Sequence, residues 1–146
     1  MQAGLTAQNS RYKEARTWSD EGAVEATRKM FRTPDFYGYC TASYNPGKQM
    51  TMSLTGTYTG SMLLEHHAGY IQDNKSVETP DFWDLNFKIA YDFKIYSSFS
   101  LQLNAGVQNM LNSFQKDFDS GADRDSGYIY GPTLPRSFFL GIKLNY

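Results

Sequence analysis

The sequence predicts an all-β protein, an antiparallel meander of about six strands that forms part of a transmembrane β-barrel. Three observations lead to this prediction. Apolar and polar residues alternate along six segments, the connections between these segments alternate in length, and 16% of the residues are aromatic. Alternation with a period of two indicates a strand with one apolar face, and aromatic side chains are enriched in strands.

The strands are predicted from the parity of their apolar residues. In the last one, residues 137–146, five apolar side chains alternate with mostly polar ones. These five are Phe138, Leu140, Ile142, Leu144 and Tyr146. The same alternation predicts the other strands at residues 1–8, 36–44, 50–62, 82–93 and 99–108.

The connections between these strands are alternately long and short. Residues 45–48 predict a tight turn, because Pro46 presets φ and Gly47 accepts a positive φ. The join at residues 94–98 is also short. The long connections are residues 9–35, 65–81 and 109–136. Membrane barrels show this alternation, with short periplasmic turns and long extracellular loops.

Composition excludes several classes of protein. The 14 Lys and Arg residues balance 15 Asp and Glu residues, so we expect no nucleic-acid partner. The single cysteine, Cys40, permits neither an internal disulfide nor a cysteine metal cluster. No run of 18 apolar residues occurs and the mean hydropathy is −0.55, which argues against a transmembrane helix. Barrel strands keep such averages low because only one face is apolar.

The direction of the apolar faces separates two kinds of barrel. A soluble carrier of a small lipophilic ligand turns its apolar face inward, whereas a membrane barrel turns it towards lipid. The polar faces here consist mainly of Ser, Thr, Asn, Gln and Gly, which favours a crowded, wet lumen. Aromatic residues also lie near the predicted strand ends, as in the girdles of membrane barrels. We therefore predict the membrane orientation, with the soluble carrier as the alternative.

The face assigned to the lumen carries a set of polar side chains. They are Asp84, Asn86, Lys88, Asp92, Gln102, Asn104 and Lys143. Asp84, Lys88 and Asp92 are each four residues apart on one strand, so they share a face. We expect them to pair with neighbouring strands or with a domain inside the barrel, and guidance of a substrate is the alternative.

Stretches throughout the chain resemble the final strands of TonB-dependent outer-membrane receptors. The terminal aromatic Tyr146, with the alternating apolar residues before it, is similar to the ending that the barrel-assembly machinery recognises. The other matching stretches are Gly4-Leu5-Thr6, Thr33-Pro34-Asp35-Phe36-Tyr37-Gly38-Tyr39, Tyr44-Asn45-Pro46, Thr57-Tyr58-Thr59-Gly60-Ser61-Met62, Leu103-Asn104-Ala105-Gly106-Val107-Gln108-Asn109 and Gly131-Pro132-Thr133-Leu134-Pro135-Arg136.

The resemblance implies that residues 1–146 are the C-terminal end of a receptor barrel of about 22 strands, in the outer membrane of a Gram-negative bacterium. Complete receptors of this family also contain a plug domain, and they import an iron chelate, cobalamin or a glycan. No plug or TonB-contacting segment is recognisable here, and residues 1–8 lack the features of a signal peptide. We therefore expect a segment of a longer receptor, without a cofactor. Its expected partners are outer-membrane lipid, the remaining barrel and plug, the TonB system and the assembly machinery.

The long connections contain the candidates for ligand and metal binding. Such receptors contact ligands through their loops, which makes aromatic loop residues candidates. These are Trp18, Tyr70, Tyr128 and Tyr130. His66 and His67 are the only histidines and have side chains that suit divalent metals. Adjacent residues on an extended chain point to opposite sides, so ordinary polar loop residues are the other interpretation.

Residues 117–127 are rich in carboxylates that could hold calcium. The spacing of an EF-hand loop is absent, and ordering of the loop by Asp–Arg contacts is the other interpretation. No serine lies in a recognisable nucleophile context, and His66 and His67 are the only histidine bases. We therefore expect no enzymatic activity.

Overall fold

The structure is a computed structural model that describes residues 1–21, 24–96 and 99–145. These residues form ten β-strands and contain no helix that is long and apolar enough to cross a membrane. The strands are β1 (Gln2–Ala7), β2 (Arg11–Arg16), β3 (Thr27–Lys29), β4 (Phe36–Tyr44), β5 (Met50–Thr59), β6 (Leu63–His66), β7 (Lys75–Glu78), β8 (Phe82–Tyr96), β9 (Phe99–Gln108) and β10 (Ser137–Asn145).

Six of the strands form one antiparallel sheet in the order β1-β4-β5-β8-β9-β10. Each strand pairs with the next in an antiparallel ladder, and their order in the sheet is their order along the chain. The predicted all-β meander of six antiparallel strands is therefore confirmed. Among the described residues, β1 and β10 each pair on one side only, and the sheet is open.

The third strand of the sheet, β5, ends at Thr59, so the predicted end at residue 62 is wrong. The backbone N–H of Gly60 donates to the carbonyl of Phe36 at 2.9 Å. A Cβ atom on Gly60 would lie 2.7 Å from the same oxygen. A glycine therefore donates a hydrogen bond to β4 just beyond the end of β5, and the chain then leaves the sheet. Met62, which the parity placed on the apolar face, is buried in a loop instead.

The other strands differ from the prediction only at their ends. The predicted bounds of β4 and β9 are confirmed. β1 is one residue shorter at each end, and β8 continues three residues further, to Tyr96. Residues 94–96 of the short join predicted at residues 94–98 therefore belong to β8. Residues 97–98 of that join lie outside the described part of the chain, as does Tyr146, the last residue of the predicted strand.

The register places most of the apolar side chains of the six strands on one side of the sheet. Residues that pair directly share a face. Leu54 of β5 pairs with Phe87 of β8, Phe87 pairs with Val107 of β9, and Val107 pairs with Phe138 of β10. The ladders of β4 and β1 continue the same face. We call this side the apolar face and the opposite side the polar face.

The apolar face is largely exposed. The exposed fractions on β10 are 76% for Phe138, 80% for Leu140, 68% for Ile142 and 63% for Leu144. Trp83, near the loop end of β8, is 53% exposed. A continuous exposed apolar surface of this kind marks a site of contact with a membrane or a partner.

The buried apolar residues lie elsewhere in the structure. Within the described ranges they are Met62, Leu64, Phe82, Ala90 and Tyr128. Phe82 and Ala90 have the parity of the polar face of β8. The other three form a cluster in the loops, where Val77 and Tyr130 pack against them.

The long connections all leave the same end of the sheet, because the strands alternate in direction. Loop 1 (residues 8–35) joins β1 to β4, loop 2 (residues 60–81) joins β5 to β8, and loop 3 (residues 109–136) joins β9 to β10. The tight turn between β4 and β5, residues 45–49, lies at the opposite end. The predicted alternation of long and short connections is confirmed.

Two small hairpins within the loops go beyond the prediction. β2 pairs with β3 inside loop 1, and β6 pairs with β7 inside loop 2. β2 is exposed along almost its whole length and therefore lacks the alternation of apolar and polar residues by which a strand is recognised in a sequence. For this reason it was not predicted.

Candidate functional site

Loops 2 and 3 fold against each other beyond the end of the sheet. Leu64 and Met62 of loop 2 pack with Tyr128 of loop 3, and Leu64 is fully buried. We call this group, with the polar residues around it, the loop cluster. It fixes the position of one long loop relative to the other.

His66 is buried in the loop cluster between an aspartate and a tyrosine. Its Nε2 lies 2.9 Å from Oδ2 and 3.1 Å from Oδ1 of Asp119, and its ring stacks on Tyr128 with the ring centroids 3.6 Å apart. Its Nδ1 is buried without a hydrogen-bond partner among the described residues. An ionised carboxylate only accepts hydrogen bonds, so the tautomer with the hydrogen on Nε2 fits this geometry. His66 is therefore a polar residue of loop 2, as the second interpretation has it, but a buried one that links two loops.

His67 points away from the loop cluster, as expected for neighbouring residues on a strand. Its ring is exposed and meets Trp18 edge to face, with the centroids 4.8 Å apart. Its backbone N–H donates to Oδ2 of Asp125 at 3.0 Å. The described residues contain no group of three or more His, Cys, Asp or Glu side chains placed to hold a metal ion.

The carboxylates of residues 117–127 accept hydrogen bonds from backbone amides, a histidine and tyrosine hydroxyls. Oδ2 of Asp119 accepts from the backbone N–H of Asp125 at 3.0 Å. Oδ1 of Asp125 accepts from the backbone N–H of Gly127 at 2.8 Å. The ion pairs of the described residues include none between these aspartates and an arginine. The predicted Asp–Arg contacts are therefore wrong, because nearer donors occupy the carboxylates.

Asp117 accepts hydrogen bonds from two tyrosines at once. The hydroxyl of Tyr128 lies 2.9 Å from Oδ2, and that of Tyr130 lies 2.6 Å from Oδ1. Burial acts to raise the pKa of Asp117, but the hydrogen bonds from Tyr130 and Tyr128 outweigh it, and the pKa lies below its ordinary 3.8. Burial and the hydrogen bond to Asp117 raise the pKa of Tyr128 to about 12 and also raise that of Tyr130. Both phenols therefore remain donors at physiological pH.

We expect the loop cluster to loosen in acid. Burial acts to raise the pKa of Asp125, but hydrogen bonds from the backbone N–H groups of His67 and Gly127 outweigh it, so this pKa also lies below 3.8. A carboxyl whose pKa is lowered by folding stabilises the fold fully above its unfolded pKa, and the contribution is lost as the pH falls through the folded pKa. Amide exchange in loop 3, corrected for its intrinsic pH dependence, should therefore accelerate below a pH of about 4.

The acid effect should depend on particular carboxylates. Asp117→Asn should reduce the pH dependence of exchange in loop 3, whereas Asp123→Asn, at an exposed position of the same loop, should leave it unchanged. Exchange rates that are flat from pH 6 to pH 3 in the unmodified chain would contradict the expectation.

Two buried carboxamides shape loop 3, and sequence reasoning missed both. Gln115, 1% exposed, donates to the carbonyl of Tyr128 at 3.1 Å and accepts from the backbone N–H of Tyr130 at 3.0 Å. Asn109 has a φ of +49° and donates to the carbonyl of Leu134 at 3.0 Å. Asparagine tolerates positive φ, so its place directly after a strand is a readable turn signal. Gln115 carries no comparable local signal.

The four aromatic candidates for ligand binding separate into two groups. Tyr70 is 53% exposed, and Trp18 is half-buried, with Nε1 donating to Oγ of Ser76 at 3.0 Å. Tyr128 is 3% exposed, and Tyr130 is held by Asp117. In this arrangement Tyr128 has no surface left for a ligand and belongs to the core of the loop cluster.

The seven polar residues assigned to the lumen share the polar face, as their ladder positions require. Nε2 of Gln102 donates to Oδ1 of Asp92 at 2.9 Å, which joins β9 to β8. Oδ1 of Asn86 accepts from the backbone N–H of Asn109 at 2.8 Å. The expected pairing with a neighbouring strand is therefore confirmed for Asp92.

Loop 3 bends over the polar face and encloses an open concavity. Its volume is about 570 Å³, and it is lined by side chains of the sheet and by residues 132–135. Asp84 and Lys88 line it and form no ion pair with any other described residue. Their charges therefore face a space large enough for another group.

The chain matches no protein-family model, no curated protein and no solved structure. The physical features that bear on function are the apolar face, the polar face and the loop cluster.

Proposed function

We propose that the chain is the C-terminal part of the barrel of a TonB-dependent receptor in the outer membrane of a Gram-negative bacterium. The apolar face lies against lipid, the polar face lines the lumen, and the three long loops extend outside the cell. The complete receptor binds and imports a scarce ligand, namely an iron chelate, cobalamin or a glycan. The observation that carries the proposal is the continuous, exposed apolar face across six strands.

Contact with hydrocarbon would stabilise the apolar face. Removal of a leucine, isoleucine or phenylalanine side chain from water contributes about 1.5–3 kcal/mol. The side chains of Phe138, Leu140, Ile142 and Leu144 are each at least 63% exposed in the sheet. In lipid these side chains meet an apolar phase, while the Ser, Thr and amide side chains of the opposite face stay in the wet lumen.

Aromatic side chains border the apolar face at both ends, which favours lipid over a protein partner. Near the loops, Phe36, Tyr58 and Trp83 form a row with ring centroids 5.9 and 4.5 Å apart. Near the turns, Tyr91 and Phe93 lie 4.6 Å apart. Trp83 and Phe93 are ten residues apart on β8, which at roughly 3.3 Å per residue and a tilt of about 40° spans ~25 Å across a bilayer. The apolar band of a membrane barrel has this height.

The two ends of the sheet support the same orientation. One end has the tight turn of residues 45–49, and the other has three loops of 22 to 28 residues, numbered 8–35, 60–81 and 109–136. Contacts such as the one between His66 and Asp119 keep two of these loops folded outside the sheet. Outer-membrane barrels place their long, ordered loops on the extracellular side.

Insertion into a membrane would require further strands beside β1 and β10, from the parent receptor or, for the isolated chain, from the edges of other copies of itself. Each unpaired backbone N–H or C=O group in hydrocarbon costs several kcal/mol. In the proposal the parent receptor provides these strands, together with a plug whose polar surface meets Asp84 and Lys88. Recognition by the barrel-assembly machinery and coupling to TonB also belong to that receptor. The proposal gives this segment no catalytic role and no cofactor.

We expect the isolated chain to depend on detergent. In plain buffer the exposed apolar face should cause aggregation, whereas detergent micelles should yield β-structure in a defined species. Circular dichroism and size-exclusion chromatography, each with and without micelles, measure this difference. A sharp monomer peak with β-structure in plain buffer would contradict the proposal and favour the soluble carrier of a small lipophilic ligand.

A further inference from the structure

A groove crosses the apolar face near the loop ends of β1, β4, β5 and β8. Its volume is about 750 Å³, and its lining is predominantly apolar. Its lining includes the small residues Gly38, Cys40 and Gly56 and the larger residues Leu5 and Trp83. A Cβ atom on Gly56 would lie 3.0 Å from Sγ of Cys40. Glycine at this position therefore keeps the groove open.

The hairpin of loop 1 carries a group of exposed cations. They are Arg11, Lys13 and Arg16 of β2 and Arg28 of β3. None of these four lies within ion-pair distance of a carboxylate in the described residues. β2 and β3 carry one carboxylate, Glu14, whereas the acidic residues Asp20, Glu21 and Glu25 fall between the two strands, towards the tip. The base of the hairpin is therefore its positively charged part.

The basic hairpin rises from the strands that border the groove. The backbone N–H of Gln8 donates to the carbonyl of Asp35 at 2.8 Å, which continues the β1–β4 ladder towards the hairpin. Arg11 follows Leu5 of the groove by six residues, or about 20 Å of extended chain. Long basic side chains extend several ångströms towards a lipid headgroup, so the cations of the hairpin base can reach the end of the groove.

Loop 2 lacks this combination of features. It contains a single lysine, Lys75, and four carboxylates. Those carboxylates belong to Glu65, Asp73, Glu78 and Asp81. The basic hairpin and the apolar groove therefore both lie on the β1 side of the sheet.

We propose that the groove and the hairpin together bind a membrane lipid whose headgroup carries a negatively charged phosphate. An acyl chain lies in the groove, and the phosphate meets Arg11 and Lys13, which lie on β2 towards the groove. This inference rests on the proposed function, because the groove meets lipid only if the apolar face does. The apolar face alone accepts any acyl chain, whereas basic residues at the membrane surface select for anionic lipids.

The test uses Trp83, which lines the groove, as a fluorescent reporter. With Trp18→Phe, Trp83 is the single tryptophan of the full chain. The chain is refolded in phosphatidylcholine vesicles that contain a small fraction of either brominated phosphatidylglycerol or brominated phosphatidylcholine. We expect quenching of Trp83 to indicate roughly tenfold tighter binding of phosphatidylglycerol. In the chain with Arg11→Gln and Lys13→Gln, the affinities for phosphatidylglycerol and phosphatidylcholine should become nearly equal.

Two controls separate a site from a general attraction. Lys116→Gln with Arg124→Gln removes two cations from loop 3 and should preserve the preference for phosphatidylglycerol. A second reporter, Leu140→Trp in a chain that also has Trp18→Phe and Trp83→Phe, lies on β10 at the far edge of the apolar face. It should be quenched equally by the two lipids.

The outcomes distinguish this inference from the proposed function. Equal quenching of Trp83 by both lipids would overturn the lipid site but leave the apolar face in contact with the membrane. The same preference at the Leu140→Trp reporter would also overturn the site, because the attraction would belong to the whole face. Quenching by neither lipid would overturn both proposals.

Discussion

Leu140→Arg should lower the free energy of unfolding of the chain in a bilayer by about 2–4 kcal/mol, the cost of an arginine at the midplane of a lipid-facing barrel surface. Leu140 pairs with Ala105, and Ala105 pairs with Ile89. Ile89 lies about midway between Trp83 and Phe93, the aromatic borders of the face on β8. The arginine would therefore stand near the centre of the bilayer. Urea titration of the chain refolded in lipid vesicles measures the loss.

The matched control is Thr55→Arg, which introduces the same charge on the polar face. Thr55 is exposed and pairs with Asn86, so its side chain points into the proposed lumen. The change should stay within about 0.5 kcal/mol, as for ordinary surface substitutions. Leu140 is 80% exposed in the sheet, so an apolar face directed towards water would tolerate arginine there equally well. Equal effects of the two substitutions would contradict the lipid-facing orientation.

Tyr128→Ala should destabilise the loop cluster by about 3–5 kcal/mol, the usual cost of removing a buried aromatic side chain. The substitution removes the ring stacked on His66 and the hydroxyl hydrogen-bonded to Asp117. It also leaves a cavity beside Leu64, which is fully buried. Because these contacts connect loop 2 to loop 3, both loops should lose protection together. Limited proteolysis and amide exchange of residues 60–81 and 109–136 measure the effect.

Tyr70→Ala is the control for this substitution. Tyr70 also lies in loop 2, but it is 53% exposed, so its removal should change the protection of either loop little. If Tyr128→Ala left loop 2 as protected as Tyr70→Ala does, the loop cluster would not be the link between the loops. Tyr128→Phe separates the two contributions, since it keeps the stacked ring and loses only the hydrogen bond to Asp117.

The sheet could be predicted from the sequence because the alternation of a two-faced strand is local information. β4 and β9 have the predicted bounds, since apolar parity and turn residues both mark their ends. The same alternation misplaced Met62, whose parity continues that of β5 although the chain leaves the sheet at Gly60. Parity shows which residues share a side of the chain, but it does not show what that side packs against.

The loop cluster could not be predicted, because its contacts join residues far apart in the sequence. His66 and Asp119 are 53 residues apart, and neither has neighbours that reveal the other. The carboxylate-rich segment indicated loop ordering, but its partners are two tyrosines, a histidine and backbone amides rather than arginines. Tyr128 looked like an accessible loop aromatic, and only the packing of loops 2 and 3 shows that it is buried.

The depth of Trp83 in a bilayer tests most directly the central claim that the apolar face meets lipid. The chain with Trp18→Phe, in which Trp83 is the reporter, is refolded in phosphatidylcholine vesicles. The lipid is brominated either near the headgroup or near the end of the acyl chain. The quenching of Trp83 fluorescence is compared with that of Trp18 in the chain with Trp83→Phe. We expect strong quenching of Trp83. It should be greatest with bromine near the headgroup, because Trp83 lies in the aromatic border next to the loops. Trp18, in loop 1, should be quenched little. Quenching of Trp83 by a water-soluble quencher but by neither brominated lipid would contradict the claim.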